Sequence, residues 1–151
     1  TGLLFKMTKE LHVDTIVVGN NRGWKQKVNM GKRNNQQFVS LPFAKLISAI
    51  ENKCLKEGIR FVLQEESYTS KASFLDGDPL PEHGKSKGQS HSFKGTRMTR
   101  GLYQSSTGAC LNADINGALN ILRKANIVSL DENLKPMTPK RIFVQQRKSV
   151  A

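Results

Sequence analysis

Two places in this chain carry acids that a metal ion could use. The first is Asp114, within the run Asn112-Ala113-Asp114-Ile115-Asn116-Gly117-Ala118-Leu119-Asn120-Ile121-Leu122-Arg123-Lys124. Asn112 is a natural N-cap, and Arg123 and Lys124 suit a last helical turn. Ile115, Ala118, Leu119 and Leu122 repeat at helical spacing, which predicts that this face is buried, with Asp114 at its rim. An acid in a first turn meets the positive end of the helix dipole, and a carboxylate fixed at the edge of a core suits a hard divalent cation. An ordinary first-turn aspartate has the same signature.

The second place is Glu65-Glu66, directly after the apolar run Ile59-Arg60-Phe61-Val62-Leu63-Gln64. Acids at the carboxyl end of a parallel strand lie where open α/β sheets place their sites. Neighbouring strand residues face opposite ways, so only one of the pair can serve a given site. Solvation of the strand end is the competing reading. Asp76, Asp78 and Glu82 lack the later Glu and the Gly of an EF-hand loop, so calcium is rejected there. His83 and His91 stand alone in a polar loop and make poor metal ligands.

The chain's charge points to a polyanion. Its 151 residues hold 24 Lys and Arg against 12 acids, a formal charge of +12 and a pI near 10. Every phosphate neutralised by such a surface releases counterions, so nucleic acid is the default partner. No basic amphipathic helix marks a membrane surface, and no apolar run approaches the roughly 20 residues that a span needs. The stretch Asn20 to Gln37 interleaves Trp24 with Lys25, Lys27, Lys32, Arg33 and many amides, a composition suited to backbone contact and base stacking. A polar surface loop reads the same way. Tyr68, Lys71, Lys94, Arg97, Arg100 and Tyr103 extend the candidate nucleic-acid-binding set. Cys54 and Cys110 form neither a disulfide framework nor a zinc site, which suits a reducing interior and a cytoplasmic, nucleoid-associated protein.

These residues need positioning elements. Leu4, Met7 and Leu11 mark an amphipathic helix in the first stretch, whose beginning reads as cut off, as in the back portion of something longer. Asp14 to Gly19 is a β-branched strand. Phe43, Ile47, Ile50 and Cys54 give one helical face after Ser40-Leu41-Pro42, with Gly58 as the C′ residue. Strand, helix, strand in that order predicts a crossover with parallel pairing. Residues 72–92 read as a mobile loop rich in Pro, Gly, Ser and Lys, and residues 93–110 as a short ribbon. After Ala125 a polar stretch leads to a basic tail.

Several motifs then agree in order and spacing. They are Ile16-Val17-Val18-Gly19-Asn20-Asn21 with Trp24-Lys25-Gln26; Asn34-Asn35-Gln36-Gln37-Phe38-Val39 with Pro42-Phe43; Glu65-Glu66-Ser67-Tyr68-Thr69-Ser70-Lys71; Gly95-Thr96-Arg97-Met98-Thr99-Arg100-Gly101-Leu102-Tyr103; and Asn112-Ala113-Asp114-Ile115-Asn116-Gly117-Ala118. Over residues 1–125 the chain resembles the C-terminal half of the transposon-encoded OrfB/TnpB proteins, relatives of the type V CRISPR effectors. The resemblance implies an α/β fold: a partial RuvC or ribonuclease H-like domain with parallel strands and flanking helices. Within it, residues 72–111 would be a degenerate zinc-ribbon, a basic insertion that binds target nucleic acid, and residues 126–151 a basic C-terminal tail. It further implies a guide RNA and target DNA as partners, and Mg2+ or Mn2+ held by acids for DNA cleavage.

On that resemblance Asp114 takes the role of the third family acid. The second, a Glu, usually ends the strand matching Ile16-Val17-Val18, but this chain has Gly19 there. A branch of the family looks similar in offering a replacement just before Tyr-Thr-Ser-Lys. Glu66 fits that place, with Glu65 as the fallback. Ala72, Ser73, Phe74, Leu75 and Asp76 stand where the first zinc-ribbon pair would be, so no zinc is expected, and Phe74 and Leu75 are expected to pack in its place. The first family acid belongs to an earlier stretch that this chain does not contain, so the fragment alone is expected to show little or no nuclease activity. Two other function classes stay open at this stage: a nuclease-dead, RNA-guided DNA-binding protein, and a plain basic module that binds RNA or DNA.

Overall fold

Two short strands set the frame. Thr15–Asn20 (β1) and Arg60–Glu65 (β2) pair in parallel, from Thr15 opposite Arg60 to Asn20 opposite Glu65. β1 opens on four β-branched residues and β2 carries the apolar run Phe61-Val62-Leu63, which suit a pleated surface. The computed structural model describes residues 2–21, 43–82 and 90–127. Among them a helix, Gly2–Glu10 (α1), precedes β1, and a second, Phe43–Glu57 (α2), lies between the strands in sequence. Gly58 ends α2 at φ +69°, a conformation open to glycine at little cost.

The predicted face of α2 is the one turned inward: Phe43, Ile47 and Ile50 are half-buried and Cys54 fully buried. Burial pushes the Cys54 thiol up, as befits a packing residue. α1 lies against α2, with the Lys53 ammonium 5.6 Å from the centre of the Phe5 ring and Lys9 paired to Glu57 at 2.8 Å. It buries Phe5 and Thr8, whereas Leu4, Met7 and Leu11 are exposed. The inward face is therefore the one that meets α2, not the one that the leucine spacing suggests.

A second sheet is antiparallel, in the order Thr96–Arg97 (β3), Leu102–Gln104 (β4) and Cys110–Asn112 (β5). It gives the ribbon expected from the sequence a third strand. Helix Ala113–Lys124 (α3) leaves β5 directly. The Asn112 side chain caps it, accepting from the N–H groups of Asp114 at 2.9 Å and Ile115 at 3.2 Å. α3 touches β1 and β2 as well as β4 and β5, so one helix joins the two sheets.

The buried face of α3 corrects the sequence expectation. Ala113, Asn116 and Asn120 are buried, Ile115, Leu119 and Leu122 only partly so, and Ala118 is exposed. The reason is what α3 packs against: a turn whose backbone polar groups face the helix. Asn116 accepts from the Phe74 N–H at 2.9 Å and donates to the Ala72 carbonyl at 2.8 Å. Asn120 donates to the same carbonyl at 2.7 Å and to that of Thr69 at 3.0 Å. Apolar side chains there would strand those groups without partners.

Residues 72–82 also differ from the mobile loop expected. Ala72, Ser73, Phe74 and Asp78 are buried. The Asp78 carboxylate accepts from the N–H groups of Ser73 at 2.8 Å and Lys94 at 3.0 Å, and Asp76 accepts from the Ser106 N–H at 3.0 Å. These acids staple the turn to the segment before β3 and to the β4–β5 connection. Phe74 is packed as expected, but Leu75 is exposed.

If the amide face of α3 holds the turn, Asn116→Ala should cost about 1–3 kcal/mol by leaving the Phe74 N–H unpaired. Urea denaturation monitored by circular dichroism measures this, with Ala118→Ser as the near-neutral control on the exposed face.

Candidate metal centre

Glu66 follows β2 directly and keeps the alternation of Val62 and Gln64. Asp114 opens α3. Both line one cavity of about 370 Å³, together with Asn21, Tyr68, Arg97, Gly117 and Ile121. A Cβ added at Gly117 would meet nothing within 4 Å, so the helix leaves room there. Two carboxylates, oxygen donors of the kind hard cations take, thus share one concave space. Among the described residues no cluster of three His, Cys, Asp or Glu side chains forms.

Glu66 sits close over β1. A Cβ built at Gly19 would overlap Glu66 Oε2 and lie 2.8 Å from Ile121 Cδ1. The Glu66 carboxylate therefore occupies the space that a side chain at position 19 would fill. Burial raises its pKa, and the neighbouring Glu65 charge adds to the rise. Among the described residues none donates a hydrogen bond to its carboxylate.

Glu65 has a different environment. Its carboxylate pairs with Lys124 at 2.5 Å and accepts from the N–H of Ser67 at 2.7 Å and from the Ser67 hydroxyl. Burial works to raise its pKa, but Lys124 and Ser67 outweigh it and hold the group below the usual carboxylate range. Lys124 also donates to the carbonyls of Ser67 at 3.2 Å and Pro81 at 3.1 Å. The fallback acid is thus committed to an ion pair and does not line the cavity.

Apart from Tyr68, which is half-buried and borders the cavity, the candidate nucleic-acid contacts divide into three groups. Lys71, Lys94, Arg97 and Arg100 are exposed, and Arg97 both lines the cavity and donates to the Thr99 and Arg100 carbonyls. Tyr103 is the correction: it is 1% exposed, and its hydroxyl donates to the Lys71 carbonyl at 2.6 Å. Its ring presses so closely on Gly95 that a Cβ there would lie 2.6 Å from it, so it is a core residue with no face for a base. Trp24, Lys25, Lys27, Lys32 and Arg33 lie outside the described residues, as do His83 and nearly all of the tail. Sequence reasoning missed His91 and Phe93, whose rings meet Tyr68. Their alternation around Ser92 was the available signal.

The contact across β1 makes a quantitative claim. Glu66 Oε2 and Ile121 Cδ1 are both the far ends of flexible side chains, so Gly19→Ala should displace the Glu66 carboxylate at a cost of no more than about 1 kcal/mol. In a Glu66→Ala background the same change should cost less, with a coupling of about 0.5 kcal/mol in a denaturation cycle.

Comparison with known proteins shows the family. A model of the Cas12f1-like, TNB domain family matches residues 43–121, more than half of the chain, from the start of α2 to Ile121. The chain is 33% identical over 135 residues to the TnpB-like protein ORF457 of Acidianus two-tailed virus, covering 89% of this chain and 25% of that protein. It therefore spans about a quarter of the curated relative's length. No solved structure matches it. The matched segment carries both acids, the stapled turn and the second sheet, and by these matches the chain belongs to the TnpB/OrfB-type proteins that share the Cas12f1-like TNB domain.

Proposed function

We propose that this chain is the part of a transposon-associated, RNA-guided DNA endonuclease that supplies two of its metal-ligating carboxylates, Glu66 and Asp114. The observation that carries this reading is their shared cavity, with the Glu66 carboxylate half-buried and without a hydrogen-bond donor among the described residues. A half-buried carboxylate gives up part of its hydration, and a divalent cation's charge would offset that loss. Mg2+ or Mn2+ fits the donor set, because both carboxylates offer hard oxygen ligands and the cavity leaves room for water and phosphate oxygen. When bound, the ion supplies Lewis-acid stabilisation of a phosphodiester under attack.

The chain's own residues do the rest. Lys124 draws Glu65 aside, which leaves Glu66 as the acid presented to the cavity. The Asn112 cap fixes the first turn of α3 and with it Asp114. Arg97 at the cavity wall and Lys71, Lys94 and Arg100 nearby in sequence supply positive charge for the phosphate backbone. Guide RNA and target DNA are the partners that family membership suggests. Among the described residues no helix is long and apolar enough to cross a membrane.

Isothermal titration of Mn2+ into the chain tests the reading. Glu66→Gln and Asp114→Asn should each weaken binding by at least about tenfold, since even removing an outer-shell partner of a metal site costs 10–100-fold. Unchanged binding in both variants would reduce the protein to a polyanion binder.

The raised pKa of Glu66 sets the pH dependence. Metal affinity should fall as pH drops through that raised value, because the protonated carboxyl no longer ligates. In the metal-free chain the sign reverses. The fold favours protonated Glu66, so Glu66→Gln should raise stability at neutral pH, and that gain should vanish below about pH 4, where the unfolded chain is protonated too. Thermal melts across pH in the presence of a chelator would show it.

A further inference from the structure

Two acids that share a cavity still have to be held in register, and one uncharged side chain stands between them in the chain of contacts. We propose that Thr69 is the positioning residue of this centre: it passes the position of α3, and so of Asp114, on to the backbone of Glu66. This deepens the metal reading and rests on it for any effect on metal affinity, but the contacts themselves need no metal.

Three observations carry the proposal. The first is the turn that follows β2. Glu66 to Thr69 form a tight turn whose third residue, Tyr68, holds φ +64°. That conformation suits Gly or Asn and is costly for a bulky side chain, so the turn needs fastening. Thr69 supplies two donors to one acceptor. Its N–H reaches the Glu66 carbonyl at 3.3 Å, and its hydroxyl reaches the same oxygen at 2.8 Å.

The second is what holds Thr69. The residue is 4% exposed, and its carbonyl accepts from Asn120 Nδ2 at 3.0 Å. The same nitrogen also donates to the Ala72 carbonyl at 2.7 Å, and Asn120 Oδ1 has no partner among the described residues. A fully buried acceptor without a partner is costly, so the fold gives up a satisfied amide to place both donors on the turn. Thr69 is thus held from α3 on one side and holds Glu66 on the other.

The third is position. Thr69 lines the cavity together with Glu66 and Asp114. Its hydroxyl proton is spent on the Glu66 carbonyl, so it brings rigidity to the cavity rather than an open donor. Asn120 and Asp114 belong to the same helix, with about 9 Å of regular backbone between them. A metal site needs its ligands held within about 0.5 Å, and groups that only orient those ligands matter to it nearly as much as the ligands do. The opposite reading, that Thr69 fills space, requires its shape and not its hydroxyl.

Isothermal titration of Mn2+ into Thr69→Val and Thr69→Ser tests the proposal, at a temperature where circular dichroism shows both folded. Valine keeps the shape and loses the hydroxyl, and serine does the reverse. Thr69→Val should weaken Mn2+ binding by at least about tenfold, and Thr69→Ser should stay within about twofold of the parent. In the metal-free chain, amide relaxation by NMR should show the order parameters of Glu66 and Ser67 falling from about 0.85 toward about 0.6 in Thr69→Val but not in Thr69→Ser. Parent-like affinity and order in Thr69→Val, or losses in Thr69→Ser as large as those in Thr69→Val, would overturn the proposal. If Thr69→Val does not fold, Thr69→Ala against Thr69→Ser, which differ in the hydroxyl alone, decides by the same two measures. A parent that binds no Mn2+ would sink the metal reading alone, and the order parameters would still decide on Thr69.

Discussion

One carbonyl does much of the positioning in this structure. The Ala72 oxygen accepts from both Asn116 and Asn120, the two amides that α3 turns inward. Together with the bonds to Phe74 and Thr69, these contacts fasten the turn after β2 along the length of α3. Glu66 sits just ahead of that turn and Asp114 at the head of that helix. Where the turn goes, Glu66 goes, so the shared cavity follows from a buried amide ladder rather than from direct contact between the acids. A ladder of this kind specifies one register, because sliding the turn by a residue would leave several buried polar groups unpaired.

The second constraint is how the adjacent acids are kept apart in role. Two carboxylates in sequence at one strand end repel each other, and both lose hydration. Lys124, nearly buried itself, resolves this by taking Glu65 into an ion pair with Ser67 as further donor. Glu66 is left to face the cavity over Gly19, where β1 offers no side chain. Position 19 and position 66 thus compete for one volume.

Much of the scaffold was legible in the sequence because its signals are local. The β-branched runs gave β1 and β2, the spacing of Phe43, Ile47, Ile50 and Cys54 gave α2, and Asn112 gave the start of α3. What escaped was set by partners distant in sequence. Periodicity assumes that apolar residues mark the buried face, yet α3 packs on peptide groups, and only amides can satisfy them. Tyr103 resembled a surface aromatic among basic residues, but its hydroxyl finds the Lys71 carbonyl and its ring covers Gly95. The turn after Lys71 looked loose because Asp, Gly, Ser and Pro are loop formers. Its order comes from Asp76 and Asp78 accepting from backbone N–H groups as far off as Ser106, a pairing that composition does not reveal. Which of Glu65 and Glu66 faces the cavity depended likewise on Lys124, 59 residues from Glu65.

The central claim is that Glu66 and Asp114 close on one divalent ion. Anomalous diffraction from crystals of the chain soaked in Mn2+ tests it most directly. The account predicts a peak within ligand distance of both carboxylates, at the mouth of the cavity beside Gly117. A peak held by other residues with these two acids left free, or no peak in a soak that saturates the protein in solution, would contradict it.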